Sequence, residues 1–344
     1  VPRLRRRPRL KAAMLSTDPR LPVTLLTGFL GSGKTTLLNR ILKETHGQRI
    51  AVIENEFGEV GVDNDLLVES EEQIVEMNNG CICCTVRGDL TRILGELVEK
   101  RSKGTLHFDR VLIESTGLAD PGPVAQTFLV EPEVAQAYRL DAILTLVDAK
   151  HAMAQLDQHE IAQEQVGFAD RLLLTKTDLV SADEKAALIA RLMDINGRAA
   201  IYETLQGQGV DLAALLDVNS FSLEAVLERE PDFLASGHHH HHNNAISSFA
   251  FTTHGEFDPA RLDEFFGALV QVYGEDMLRY KGLLAVTGQA HQIILQGVHM
   301  LVATNVGRPW AENEARESRI VFIGRNLPQD IFEKGLRQCI GKPW

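Results

Sequence analysis

Gly28-Phe29-Leu30-Gly31-Ser32-Gly33-Lys34-Thr35 is the stretch on which the fold turns. It matches the spacing G-x-x-x-x-G-K-[ST] without a gap, between an apolar run that reads as a strand and a segment that reads as a helix. The spacing has a physical cause. Glycines let the backbone curl until its N–H groups converge on phosphate oxygens, and the helix that follows adds its positive end. Gly28, Gly31, Ser32 and Gly33 are the candidate cradle, with Thr36 completing the loop's exit into the helix. Lys34 is placed to reach β- and γ-phosphates and Thr35 to offer its hydroxyl to Mg²⁺.

Outward from this loop, short apolar runs alternate with helical stretches as far as about residue 218. Strands are expected at 23–27, 50–53, 111–114, 143–147, 172–175 and 199–202, with helices including 35–45, 89–101, 161–168 and 183–194. This is the pattern of an α/β fold, a doubly wound, mostly parallel P-loop NTPase sheet. Residues 219–245 then form a polar linker with five consecutive histidines, His238, His239, His240, His241 and His242. Residues 246–344 are expected to form a second, smaller α+β domain of order βαβββα, with strands at 246–253, 278–286, 292–298 and 320–323 and helices at 259–273 and 329–339. The domains expected are therefore 22–218 and 246–344, preceded by a basic arm at 1–21.

Charge and cysteine usage narrow the function. The 344 residues carry a net charge of −12; residues 1–13 hold six basic residues and no acid, which leaves −18 for the remainder. An acidic body excludes nucleic acid as the expected partner, since phosphate backbones need a basic face. No run of eighteen uncharged apolar residues occurs, so no transmembrane helix is expected. The basic arm lacks a following apolar segment and does not read as a secretory signal; a disordered arm, or a start at Met14, is favoured over organellar targeting. Cysteine falls at only four positions, three of them within four residues, which points to a reducing, cytoplasmic setting and to metal or redox chemistry.

Two further segments belong with the phosphate loop. In Arg110-Val111-Leu112-Ile113-Glu114-Ser115-Thr116-Gly117 an apolar strand ends in a carboxylate, with glycine three residues on. Glu114 is expected to act on Mg²⁺ through a water and the Gly117 N–H to sense the γ-phosphate. Leu118 stands where a Ras-like GTPase places its water-orienting glutamine, so slow intrinsic hydrolysis is expected, raised by a partner, a dimer or bound metal. Base choice rests on Thr175-Lys176-Thr177-Asp178. Asp178 accepts the paired N1–H and N2–H of guanine, a pattern adenine lacks, and the Lys176 stem lies over the ring. Thr175 replaces the usual Asn of N-K-x-D and removes one side-chain amide. GTP and GDP are thus the expected ligands.

Between these motifs lies Asn79-Gly80-Cys81-Ile82-Cys83-Cys84. Three thiols this close supply soft ligands to one ion, favouring zinc over magnesium or calcium, with cobalt and nickel as alternatives. A thiol redox pair or inert buried cysteines are the competing readings, and a strained bond between adjacent cysteines disfavours the first. Upstream, Glu54-Asn55-Glu56-Phe57-Gly58-Glu59 follows the second strand, where γ-phosphate-dependent rearrangement occurs in such GTPases. Glu54 and Glu59 are candidate oxygen ligands, against the alternative of a solvated acidic loop. The histidine run would hold zinc, nickel or copper weakly, against the alternative of a low-complexity spacer. His254, His291 and His299 alternate with apolar residues and read as packed or surface histidines.

These motifs stand in the order seen in CobW-type GTPases, and the chain most resembles their YjiA-like branch. The resemblance spans about residues 22–340 and continues through Leu278-Arg279-Tyr280-Lys281-Gly282, Gln296-Gly297-Val298, Pro309-Trp310 and Val321-Phe322-Ile323-Gly324. It implies a GTP-hydrolysing metal chaperone serving a client apo-metalloprotein. It further implies that Cys81, Cys83 and Cys84 form a C-x-C-C metal motif with Glu54 and Glu59 as co-ligands, and that the C-terminal domain helps select the client. A zinc buffer or sensor, in which nucleotide controls assembly rather than delivery, is the alternative function. The sequence leaves the client and the oligomeric state open, a homo-oligomer included.

Overall fold

The computed structural model describes residues 19–44, 47–54, 86–216, 218 and 245–341. Strands β1 (Leu21–Gly28), β2 (Ile50–Glu54), β3 (Arg110–Glu114), β4 (Tyr138–Asp148), β5 (Arg171–Thr175) and β6 (Ala200–Glu203) form one sheet in the order β2-β3-β1-β4-β5-β6. All five pairings within it are parallel. Helices α1 (Lys34–Lys43), α2 (Val86–Ser102), α3 (Pro121–Val130), α4 (Pro132–Ala137), α5 (Ala152–Gln158), α6 (Glu160–Phe168) and α7 (Ala182–Ile195) connect the strands. The central strands are apolar on both faces, as a parallel sheet covered by helices requires; Arg171–Thr175 is buried throughout.

Chain order reverses around β1, with β3 on one side and β4 on the other. Ligands of open α/β sheets settle beyond the carboxyl ends of strands at such a switch point. Gly28, Glu54, Glu114, Asp148 and Thr175 all end strands of this sheet, so its carboxyl edge gathers the candidate residues.

The second sheet comprises β7 (Ile246–Thr253), β8 (Met277–Leu284), β9 (His291–Val298), β10 (Leu301–Pro309) and β11 (Ser318–Arg325), ordered β10-β9-β8-β11-β7 and antiparallel throughout. Helices α8 (Pro259–Tyr273) and α9 (Gln329–Gln338) belong to the same lobe. The order is βαββββα, one strand more than the sequence pattern predicts. The extra strand, β10, is an edge whose residues are mostly exposed on both faces, so it lacks the apolar alternation that marks a half-buried strand.

Period-two alternation divides this sheet between two cores. Ile320 and Phe322 of β11 join an aromatic cluster with Phe249, Phe266 and Phe332, whereas Val321 and Ile323 join the core of the first lobe. Polar ties fix the junction. Asp170, just after α6, accepts Ile143 N–H at 2.8 Å and pairs with Arg279 at 2.8 Å and Lys281 at 3.2 Å, both on β8.

Candidate nucleotide and metal site

The phosphate loop takes the backbone path its glycines permit. Gly28, Gly31 and Gly33 have φ of 139°, 72° and 98°. At Gly28 a Cβ would lie 2.4 Å from the Leu146 carbonyl oxygen of β4, so the loop is pressed against that strand and only glycine fits. Gly33 caps α1 without a side-chain hydrogen bond, and the first turn of α1 carries no acid. The amides of that turn therefore face the loop without a capping side chain, and nothing there repels an anion. Ser32 Oγ is buried with no hydrogen-bond partner among the described residues, as befits a group completed by ligand oxygens.

Lys34 Nζ folds back onto the loop, donating to Gly28 O at 2.9 Å and Phe29 O at 3.4 Å. Burial lowers its pKa, with the Glu114 charge opposing. A bound triphosphate favours the charged amine, so binding in alkaline solution takes up a proton. GTP affinity is therefore expected to fall as pH rises through the lowered Lys34 pKa, by up to about tenfold per unit, and to be flat below it. Calorimetry in buffers of differing ionisation enthalpy measures that uptake; buffer-independent heats at alkaline pH would exclude it.

Thr35 Oγ1 donates to Glu114 Oε1 at 3.4 Å, which joins α1 to the end of β3. Parallel register places Glu54 of β2 directly opposite Glu114. Two hard oxygen donors, a hydroxyl and a carboxylate, at the head of the phosphate loop fit Mg²⁺ rather than a soft cation. Beyond Glu114 the chain makes a turn closed by Ala119 N–H to Thr116 O at 3.1 Å. Gly117, inside that turn, rests on the phosphate loop: a Cβ there would lie 2.6 Å from Leu30 N. Leu118 is 56% exposed beside it, with no polar group to offer water.

The candidate base-recognition segment is tied to the same loop. Thr175 Oγ1 donates to Ser32 O at 2.9 Å, so the hydroxyl that replaces the usual amide anchors the phosphate loop instead. Lys176 adopts a left-handed φ of 55° and its Nζ bridges Gly31 O at 2.9 Å and Asp148 Oδ2 at 2.6 Å. Burial alone would raise the Asp148 pKa, but hydrogen bonds from Lys176 and His151 prevail and hold it below the ordinary carboxylate value. Asp178 is exposed on the single turn Thr177–Leu179, open to a base, and Thr36 is exposed on α1.

Two residues of this site are absent from the sequence-based set. Asp148 ends an apolar strand as Glu114 does, which is the signal that could have found it. Gln165 of α6, buried to 1% exposure, donates from Nε2 to Gly117 O at 3.2 Å and Ala119 O at 3.1 Å. Nothing in its sequence context sets it apart from a surface helix glutamine.

The metal ligands expected at Cys81, Cys83, Cys84, Glu59 and His238, His239, His240, His241 and His242 lie outside the described residues. Among the described residues no three His, Cys, Asp or Glu side chains group to hold a metal. His254 and His291 are exposed, and His299 packs against Phe168 with ring centroids 5.6 Å apart. No helix among the described residues is long and apolar enough to cross a membrane.

Comparison with known proteins agrees with this geometry. A family profile described as CobW/HypB/UreG, nucleotide-binding domain, matches residues 22–203, and one described as the cobalamin synthesis protein cobW C-terminal domain matches residues 246–340. The zinc chaperone YjiA of Escherichia coli is 44% identical over 311 residues, covering 90% of this chain and 96% of that protein. The crystal structure of the Zn(II)-bound YjiA GTPase from E. coli superposes with a TM-score of 0.74, covering 94% of this chain and 99% of that one, at 38% identity. A Zn(II)-bound triple mutant of that GTPase, with one glutamate and two cysteines changed to alanine, gives 0.75, again at 38% identity, covering 94% of this chain and 99% of that one. With both family profiles matched in order and a relative of this identity covered almost end to end, the chain belongs to the CobW family of nucleotide-binding proteins.

Proposed function

We propose that this protein is a GTPase that binds zinc at Cys81, Cys83 and Cys84 and passes the ion to a client apo-metalloprotein, with residues 22–218 carrying nucleotide and metal and residues 246–344 choosing the client. The observation that carries this reading is the register Glu54↔Glu114. Glu114 faces Thr35 at the phosphate loop, and the chain leaves β2 at Glu54 to enter the segment that contains Glu59 and the cysteines. Neighbouring strands lie about 4.8 Å apart. A change at the triphosphate thus acts one strand away from the start of the metal-bearing segment.

Each residue has a task in this reading. Gly28 to Thr36 cradle the phosphates, Asp178 selects guanine, Lys176 braces the base, Thr35 would hold Mg²⁺, and Glu114 would act on it through a water. Magnesium bound there would draw charge from the β- and γ-phosphate oxygens. Glu54 and Glu59 would share zinc with the thiols. For delivery rather than storage, the ion must be held differently in the two nucleotide states, and linkage makes that difference reciprocal.

Zinc retention alone is a weak test, since the E. coli triple mutant above is also zinc-bound. Nucleotide dependence is the discriminating quantity. With His238–His242 deleted to silence weak sites, zinc is titrated anaerobically against a competing chelator, in GDP and in a non-hydrolysable GTP analogue. The expected result is a difference of tenfold or more between nucleotides, about 1.4 kcal/mol of coupling, abolished by Cys83→Ala. Coincident curves would remove the delivery mechanism and leave a zinc buffer whose nucleotide serves assembly.

A further inference from the structure

We propose that Gln165 is a positioning residue for GTP hydrolysis, holding the Thr116–Ala119 turn against the phosphate loop from helix α6. The proposal rests on the GTPase reading above and adds a residue to it. The turn contains Gly117, which rests on Leu30 of the phosphate loop, so a shift of the turn is felt directly at that loop. One hydrogen bond, Ala119 N–H to Thr116 O, closes it from within. Gln165 adds a restraint from outside the turn: its amide donates to the carbonyls of both Gly117 and Ala119, at 3.2 and 3.1 Å. Holding those oxygens restrains the Gly117–Leu118 peptide plane before Leu118 and the Ala119–Asp120 plane beyond Ala119. A leucine at 118 cannot orient water itself, so the backbone around it is what the reacting phosphate meets.

A restraint is only as firm as its base, and α6 is held at several points away from the turn. His159, its N-cap, stacks on Phe29 of the phosphate loop at 4.8 Å. Glu160 and Glu164 each pair with Arg325 of β11 at 2.6 Å. Gln163 Oε1 accepts Ile246 N–H at 3.4 Å, and Phe168 O accepts from Arg279 at 2.6 Å. One helix of nine residues and its N-cap thus touch the phosphate loop, the Gly117 turn and the second sheet. Gln165 is the member of it that reaches the turn, so the setting of the turn follows from how α6 sits on both lobes.

The test uses Gln165→Met, which keeps an unbranched chain and removes both donors. Turnover of GTP and affinities for GDP and a non-hydrolysable GTP analogue are measured on the full chain. A positioning role predicts GDP affinity within about twofold of the parent, at least a fivefold loss of preference for the triphosphate analogue, and kcat lowered at least tenfold with KM moved less. Gln165→Glu gives a second readout and stands in should the Met variant fail to fold. Its carboxylate repels the two carbonyls whereas its carboxylic acid donates to one, so activity relative to the parent should recover as pH falls. A lower melting temperature with unchanged kcat, triphosphate preference and relative pH profile would overturn the proposal and leave Gln165 a buried structural glutamine. A parent that does not hydrolyse GTP would overturn the GTPase reading itself and take this inference with it.

Discussion

Lys34→Ala is expected to lower kcat/KM for GTP about a thousandfold while leaving the protein at least as resistant to urea as the parent. The two effects separate because of where the amine sits. Its Nζ is held over the loop by the carbonyls of Gly28 and Phe29, at the head of a helix whose N-terminal amides carry no capping side chain. A triphosphate entering there gains a fixed positive charge with little reorganisation, and losing one such preorganised group costs about 10²–10³ in rate, or about 4 kcal/mol at the upper end. Lysine at this point reaches β- and γ-phosphates, so affinity for GDP should fall less than affinity for GTP. For folding the sign is reversed. Burial lowers the Lys34 pKa, which means the nucleotide-free fold disfavours the charge it holds, and alanine relieves that cost. Turnover within tenfold of the parent would show that another cation meets the phosphates. A large drop in urea midpoint would show that the loop is built around the lysine rather than preformed for ligand.

What the sequence discloses about this site follows from the range over which each feature is determined. The phosphate loop is legible because its geometry is a local demand on consecutive residues: three positive φ angles where three glycines stand. The alternating strands and helices of the first lobe are legible because a buried parallel strand cannot be polar. Register is a different matter. That Glu54 lies beside Glu114 depends on β3 inserting between β1 and β2, a tertiary outcome to which no spacing in the chain points.

Gln165 and β10 fail for opposite reasons. Gln165 has the composition of a surface helix position and becomes a buried donor only because the Gly117 turn folds over it. Edge strand β10 has too little apolar surface to reveal a period, since its ladder to β9 rather than burial defines it. Thr175 shows a third kind of gap. As a departure from N-K-x-D it reads as a missing amide, whereas its hydroxyl ties the base segment to Ser32 O. The cysteine cluster stands at the other extreme: three residue types favour metal chemistry over a redox pair or buried thiols, and its location is outside the described residues.

Asp141→Ala is expected to cost about 3–5 kcal/mol of folding stability and to leave nucleotide affinity unchanged in the fraction that folds. Arg110 opens β3 and Asp141 lies near the start of β4, whereas the candidate site residues Glu114 and Asp148 end those strands. Both side chains are fully buried, with Arg110 Nη1 2.8 Å from Asp141 Oδ2. The guanidinium also donates to Thr24 Oγ1 at 2.8 Å and Gln48 Oε1 at 3.0 Å, and the carboxylate receives Arg139 at 3.3 Å and Val218 N–H at 3.3 Å. Removing the carboxylate strips Arg110 of its buried counter-charge, and the desolvation already incurred is no longer offset by attraction. Removing both charges is a different experiment. Arg110→Met with Asp141→Leu replaces the pair by apolar groups in a fully buried site, and such exchanges are often neutral or stabilising. The double variant should therefore recover most of the loss, giving a coupling energy of the order of the single-variant cost. Urea midpoints of the parent, Arg110→Met, Asp141→Leu and the double variant close the cycle. A double variant no more stable than Asp141→Leu would mean that the hydrogen bonds to Thr24 of β1 and to Gln48, just before β2, outweigh the ion pair. A change in nucleotide affinity would mean that the two edges of the sheet are not independent.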